Sequence, residues 1–146
     1  MARLTLAAVL FLTTHGIGAV HFGAPKTQAV AALTRAFGTP TSRGVNHGCS
    51  ARYTEVFWGG LSAEFRSNVF SGFRYEPGRG PRLTTATGIT LGSSIAALRR
   101  TYGALRFVGN DRWGAAGLVF YDDGKPLNAT RLRHIVEIKT RTCGDF

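Results

Sequence analysis

The sequence contains little acidic charge, few cysteines and no long apolar run. Of its 146 residues, 8 are Asp or Glu and 18 are Lys or Arg, so the formal net charge is +10. Only two cysteines are present, which excludes a scaffold held by many disulfides. The longest apolar run, Leu4–Leu12, is shorter than the roughly 20 residues that a membrane-spanning helix needs. We therefore expect neither a disulfide-rich miniprotein nor a transmembrane helix.

Signals for catalysis are also missing. There is no Gly-x-Ser-x-Gly nucleophile motif, and the four histidines are isolated from any serine, aspartate or cysteine arrangement. The pair Asp122 and Asp123 is followed by Gly124 and Pro126, which predicts a hairpin turn rather than a metal site. Residues 18–27 are close in pattern to a phosphate-binding loop but include a proline, which removes a backbone donor. We predict a protein that is not an enzyme and has no cofactor or metal.

What the sequence does contain is enough apolar material for one folded core. Apolar residues make up 44% of the chain and include 10 Phe, 4 Tyr and 2 Trp. A chain of this length buries about 68–70% of the surface that its unfolded form exposes. We predict a single domain over residues 15–146.

Residues 1–14 have the pattern of a signal peptide. Arg3 precedes the run Leu4–Leu12, and small residues follow it without a clear cleavage motif. Two other interpretations stay open: a start codon assigned too early, and retention of the run as a buried N-terminal strand. With the signal interpretation, the protein is secreted or extracytoplasmic. No cysteine follows the run, so we expect no bacterial lipid anchor.

A ten-residue pattern occurs twice in the chain. Residues 29–38, AVAALTRAFG, correspond to residues 94–103, SIAALRRTYG, with five identical positions. Each copy places apolar residues at i, i+3 and i+7, which predicts an amphipathic helix. Each predicted helix ends at a glycine, Gly38 or Gly103, the residue type that most easily adopts the left-handed conformation after a helix.

Strand patterns follow each predicted helix. Alternation of apolar and polar residues predicts antiparallel strands over Arg52–Trp58, Val69–Tyr75 and His134–Arg141. We therefore predict two repeats, at about 15–80 and 81–146. The predicted fold class is α+β: two tandem helix-then-antiparallel-sheet repeats joined into one curved sheet, with helices on one face and the other face open.

Several segments together suggest a known family. They are Gly16–Gly18, Phe22–Gly23, Ala32–Leu33, Phe37–Pro40, Cys49, Trp58–Leu61, Phe70–Phe73, Thr85–Ile89, Leu98, Tyr102–Gly103 and Cys143–Gly144. In order and spacing the chain resembles the β-lactamase inhibitory protein-like superfamily, which also includes outer-membrane assembly lipoproteins of the BamE type. It looks especially like uncharacterised secreted proteins of high-GC bacteria.

The resemblance implies a concave sheet that, in the inhibitor branch of the superfamily, holds proteins. It does not carry inhibition over to this chain, because the inhibitors have disulfides inside their repeats, whereas this chain has one cysteine in each half. The BamE-type members carry a lipidated cysteine, which this chain lacks. A role in membrane assembly is therefore not implied.

The two cysteines, Cys49 and Cys143, are predicted to form a disulfide. In an oxidising compartment, pairing is the usual state of two cysteines. Two buried free thiols are one alternative. A metal site is another, although the segment His47–Cys49 offers two ligands where zinc takes three or four.

We expect a binding protein rather than an enzyme. The open sheet face would hold a protein partner through aromatic residues, with Trp58, Phe73, Tyr75 and Tyr121 as candidates. The alternative is a basic electrostatic binder of an anionic envelope polymer or, less favoured, of nucleic acid.

Overall fold

The structure is a computed structural model that describes residues 10–48, 51–109, 111–124 and 133–140. These residues form twelve strands and two helices. The strands are β1 (Phe11–Thr13), β2 (Gly16–Ile17), β3 (Val20–His21), β4 (Ser42–Gly48), β5 (Ala51–Trp58), β6 (Leu61–Arg66), β7 (Val69–Tyr75), β8 (Thr84–Thr85), β9 (Arg106–Gly109), β10 (Arg112–Ala115), β11 (Leu118–Asp122) and β12 (Ile135–Thr140); the helices are α1 (Lys26–Phe37) and α2 (Ile95–Tyr102).

The larger sheet has eight strands in the order β4-β5-β6-β7-β12-β11-β10-β9. Within β4–β7 and within β9–β12, strands that are consecutive in sequence are neighbours in the sheet. The two groups meet where β7 pairs antiparallel with β12, with Tyr75 opposite Ile138 and Arg74 opposite Lys139. Both groups therefore contribute to one continuous antiparallel sheet.

The smaller sheet has four short strands in the order β3-β2-β1-β8. Its central strand β1 is antiparallel to β2 and parallel to β8. Leu12 of β1 and Ile17 of β2 are buried in the core. Residues 11–13 therefore form part of the fold, whereas residues 1–9 lie outside the described residues.

The predicted α+β fold class is wrong. Strands account for 49% of the described residues and helices for 17%, so the chain is mostly β. It is not a tandem of helix-then-sheet units, because β1–β3 precede α1, β8 precedes α2, and these four strands form a second sheet. The sequence pattern missed them because strands of two or three residues are too short to show a period.

Both predicted helices are present, and each is followed by the predicted glycine. Gly38 after α1 has φ 88° and Gly103 after α2 has φ 71°. The Ser94 side chain caps α2 by accepting a hydrogen bond from the Ala97 N–H. Over the described ranges, no helix has the length and apolar character that crossing a membrane requires.

Each helix is tied to the larger sheet at its start. Before α1, the Gly23 N–H donates to the Phe70 carbonyl and the Phe70 N–H donates to the Ala24 carbonyl. The residues before α2 exchange the same pair of bonds with Ile135 of β12. Main-chain hydrogen bonds thus connect α1 to β7 and α2 to β12.

The core lies between the helices and one face of the larger sheet. Leu33 of α1 and Leu98 of α2 are buried in one cluster with the sheet residues Phe65, Phe73 and Phe120. The strands predicted over Arg52–Trp58 and Val69–Tyr75 are confirmed as β5 and β7. The strand predicted over His134–Arg141 is confirmed as β12, for which the described residues end at Thr140.

Candidate binding face

The second face of the larger sheet is the candidate site, and we call it the open face. It consists of the residues that alternate with the core residues along the strands. Within the described part of the chain, no helix or other strand packs over it, because both helices and the smaller sheet contribute to the core on the first face. Its central side chains are Tyr53, Glu55, Phe57, Ser62, Glu64, Arg66, Arg74, Val119, Tyr121, Glu137 and Lys139. Glu55, Ser62, Glu64 and Val119 are nearly fully buried.

All four glutamates of the chain lie on this face or at its border. Glu55 and Glu64 stand opposite each other on β5 and β6. Glu137 is on β12, and Glu76 directly follows β7 and shares a side-chain hydrogen bond with Glu137. A chain with a net charge of +10 thus concentrates half of its acidic side chains on one surface.

An ion pair crosses the middle of the open face. The Arg74 guanidinium lies 2.8 Å from a carboxylate oxygen of Glu55, and the Glu55 side chain is nearly fully buried. Because Arg74 is on β7 and Glu55 on β5, the pair spans the intervening strand β6. It therefore neutralises Glu55 and passes over the side chains that β6 presents.

Glu64 is the second nearly buried carboxylate on this face. The residue is 7% exposed, and no hydrogen bond or ion pair joins its carboxylate to another described residue. One carboxylate oxygen would lie 3.1 Å from a Cβ atom placed on Gly72, so the group occupies the space that this glycine leaves. Burial raises the pKa of Glu64, and the negative charge of Glu55 raises it further, while the positive charges of Arg74, Arg66 and Lys139 lower it.

A second polar group on β6 also lacks a partner. Ser62 is 2% exposed, and its hydroxyl makes no hydrogen bond. It lies in register between Phe57 and Arg74 and two residues before Glu64 on the same strand. Most buried polar groups in proteins are hydrogen-bonded, so a buried hydroxyl without a partner is unusual.

Aromatic side chains flank the carboxylates. Tyr53 and Phe57 lie two residues before and after Glu55, and both are partly buried. The Arg66 guanidinium stacks over the Tyr53 ring at 4.7 Å from the centroid. Burial raises the pKa of Tyr53, and the charges of Glu64 and Glu55 add to the shift. The centre of the open face therefore combines aromatic rings with carboxylates.

The carboxyl pair Glu76 and Glu137 lies where the two strand groups join. Burial raises the pKa of Glu137 to about 7, and the nearby charge of Glu76 and their shared hydrogen bond also raise it, against opposing effects of Lys139 and Arg74. A carboxyl group with this pKa exchanges its proton near neutral pH.

The structure places three of the four predicted binding residues in the core rather than on the open face. Trp58, Phe73 and Tyr75 are 2%, 0% and 6% exposed. The Trp58 indole donates a hydrogen bond to the Gly38 carbonyl, and the Tyr75 hydroxyl accepts one from the Leu83 N–H, so both serve packing. Of the four, Tyr121 alone is on the open face, with the Lys139 ammonium 5.2 Å from its ring centroid.

Other predicted features have different outcomes. Asp122 is not in an exposed turn: it ends β11 and forms a buried ion pair with Arg133 at 3.3 Å. In the described ranges, no group of three or more His, Cys, Asp or Glu residues could hold a metal. Cys49 and Cys143 lie outside the described residues, so their pairing stays a prediction.

Sequence reasoning missed Glu55, Ser62 and Glu64. The signal for them was the alternation in β5 and β6, where polar residues alternate with Val56, Trp58 and other core residues. A shift of one residue moves every side chain to the other face of a sheet. The assignment of Trp58, Phe73 and Tyr75 to the open face corresponds to such a shift, because these side chains lie on the core face.

Comparison with known proteins does not place the chain in a family. It matches no protein-family model, no curated protein and no solved structure. The resemblance to the β-lactamase inhibitory protein-like superfamily stays a prediction from the sequence.

Proposed function

We propose that the protein is a secreted, non-catalytic binding module whose open face holds a protein partner. The observation that supports this most directly is that no described helix or strand packs over this face, although it carries the carboxylates of Glu55 and Glu64 and the Ser62 hydroxyl, which makes no hydrogen bond. A partner that lies on the face would bury its partly exposed rings.

The surroundings of these groups favour a protein as the partner. Tyr53, Phe57 and Arg74 lie around them, and tyrosine and arginine are enriched among the residues that dominate protein interfaces. A broad sheet surface with alternating rings and charges suits a second protein surface better than a small molecule. The extracytoplasmic location is carried over from the signal-peptide pattern of the sequence, although Phe11 and Leu12 at the end of the apolar run belong to β1 and Leu12 is in the core.

The test compares two phenylalanines on opposite faces of the same sheet. Phe57 is on the open face, whereas Phe107 is 57% exposed and contacts Trp113 on the other face. Phe57→Ala should lower the capture of a partner from extracts of the native host by at least tenfold, with little change in melting temperature. Phe107→Ala should leave the capture unchanged. Equal capture by both variants would contradict the proposed function.

A second candidate function, binding of an anionic polymer, is supported by a different observation. The loop after β7 borders a surface cavity of about 710 Å³, and the exposed Arg79 and Arg82 line it. With a net charge of +10, such a cavity can attract phosphate or carboxylate groups. Counterion release then predicts affinity that falls steeply with salt. Binding that survives several hundred millimolar salt would exclude this candidate.

A further inference from the structure

Strand β4 forms one end of the larger sheet, and among the described residues no other strand pairs with its outer side. It has seven residues and pairs with β5 along its whole length without a shift in register. Its residues are exposed or only partly buried, and Val45 is 53% exposed. An end strand presents a row of main-chain N–H and C=O groups to which a further strand can add.

The strand at the other end of the sheet is less suited to such an addition. β9 has four residues, and its register against β10 shifts between Arg112 and Trp113. Short end strands and bulges are two ways in which proteins protect a sheet edge from further pairing. β4 has neither feature and contains no proline. It is therefore the edge of the larger sheet at which a strand can add.

Basic side chains follow β4 on the core side of the sheet. Arg43 and His47 flank Val45 on this side, and Arg52 of β5 stands opposite His47. Neither arginine makes an ion pair with another described residue. Both glutamates of β5 and β6 are on the open face, so no acidic side chain of these strands offsets the basic row.

The basic row selects the kind of strand that can add. A second copy of the chain would bring its own basic row to the same edge, and like charges on neighbouring strands are destabilising. The net charge of +10 also opposes the approach of a second copy. An extended segment with an acidic residue at every second position would instead place opposite charges beside Arg43 and Arg52.

On its open-face side, β4 leaves room for apolar side chains. Gly44 and Gly48 are on this side, where a Cβ atom placed on them would lie 3.9 Å from the Phe57 ring and 3.2 Å from the Tyr53 ring. Because glycine has no side chain, both rings can be reached across the edge strand. The side chains between the acidic residues of an added segment can therefore lie over the glycines and contact the two rings.

We propose that β4 binds an extended segment of a protein partner by strand addition, and that this segment alternates acidic with apolar residues. Main-chain hydrogen bonds then provide affinity, and the alternate side chains provide specificity. The inference goes beyond the proposed function, because it assigns the edge of the sheet and the chemistry of the segment bound there. It does not depend on that function, since a strand can add to the edge whether or not a partner covers the open face.

The experiment uses a capped peptide that alternates glutamate with valine and phenylalanine. The peptide is titrated into the ¹⁵N-labelled full chain, and amide shifts are followed by NMR. We expect saturable shifts of the β4 amides and none in β9. A peptide of the same composition with its glutamates grouped together should bind at least tenfold more weakly. Equal binding of both peptides, or no saturable shift in β4, would overturn the inference.

Methylation of the peptide nitrogens tests the main-chain hydrogen bonds. One version is methylated at its glutamates and the other at its apolar residues. Alternate N–H groups of an extended strand point to the same side, so only one of the two versions loses hydrogen bonds to β4. That version should bind at least tenfold more weakly than the other. Equal affinity of the two versions would exclude strand addition and overturn the inference.

Variants of the protein test the basic row. Arg43→Glu combined with Arg52→Glu should weaken peptide binding at least tenfold, and a peptide with lysine in place of glutamate should bind this variant better than the wild type. Arg100→Glu combined with Arg106→Glu makes the same change of charge in α2 and β9 and should bind the acidic peptide within about twofold of the wild type. All four arginines are exposed, so the melting temperatures should stay close to that of the wild type. Unchanged binding by the first variant would overturn the inference.

Sedimentation of the free protein tests whether a second copy occupies the edge. We expect a monomer, because the basic rows of two copies repel each other. A dimer that the acidic peptide dissociates would assign the edge to a second copy and overturn the inference.

Discussion

Glu64 combines burial, negative charge and the lack of a hydrogen bond within the described structure. Natural folds rarely keep such a group for stability, because an apolar residue of similar size would suit the position better. Residues that lower stability are common at binding sites, where activity depends on them. At the level of single residues, Glu64 is therefore one sign of function among the described residues.

Replacing this carboxylate should stabilise the fold. Glu64→Gln keeps the shape but removes the buried charge, so we expect the free energy of unfolding at pH 7 to rise by about 1 kcal/mol. A raised pKa means that the folded state holds the proton more tightly, so the wild type is most stable below the ordinary pKa and loses stability as the pH rises through the folded one. The gain should therefore shrink towards pH 4. Urea unfolding measures it, and a loss of stability at pH 7 would contradict the assignment.

A second prediction about pH concerns Glu137. Its pKa rises from 4.5 to about 7 in the folded protein, so the stability that it contributes is present below pH 4.5 and is lost as the pH rises to about 7. The groups that face it are Glu76, Lys139, Arg74 and Tyr121. Glu137→Gln should flatten the fall in unfolding free energy between these pH values. An unchanged pH profile in this variant would show that Glu137 titrates normally.

The open face depends on how strands β5, β6 and β7 align. A bulge between Glu64 and Phe65 shifts the register of β6 against β7, so Glu64 lies opposite Gly72 and Phe65 lies opposite Phe70. Because of the bulge, Phe70 and Phe73 both face the core although they are three residues apart. The glycine opposite Glu64 leaves room for the carboxylate.

The turn between β5 and β6 should be the most sensitive element to a single methyl group. A Cβ atom on Gly59, which has φ +63°, would clash with the carbonyl of Arg79 in the loop that folds over this turn. Gly59→Ala should therefore lower the free energy of unfolding by at least about 2 kcal/mol more than Gly88→Ala. Gly88 has φ +87° but no atom within 4 Å of an added Cβ. Gly88→Ala therefore measures the cost of backbone strain without a steric clash. Chemical denaturation compares the two, and equal losses would mean that the loop does not pack on the turn as described.

At the scale of the whole molecule, the sequence predicted the helices and the longer strands because their periods extend over several residues. The repeated pattern located α1 and α2, with glycine at both helix ends. The smaller sheet was not predictable, since β2, β3 and β8 have two residues each. The side of the sheet on which Trp58 lies was not predictable either, because an alternating strand fits either face until its packing is known.

The cysteines test the predicted compartment of the whole chain. In secreted material, non-reducing peptide mapping should recover Cys49 and Cys143 in one disulfide-linked peptide. Reduction should then lower stability, because the bridge would close a long loop, for which a contribution of roughly 4–5 kcal/mol is the upper range. Free thiols in material isolated from outside the cell would contradict the predicted pairing.

Glu55 and Glu64 stand opposite each other at the centre of the open face, where both are nearly fully buried. Carbon-detected NMR can follow the Glu64 carboxyl carbon through a pH titration of the wild type and of the Glu55→Gln variant. In the wild type the pKa of Glu64 should lie above its ordinary value of 4.5, and in the variant it should be lower, because the negative charge of Glu55 that raises it is removed. A pKa of Glu64 at its ordinary value in the wild type, unchanged in the variant, would contradict the placement of this carboxyl pair on the open face.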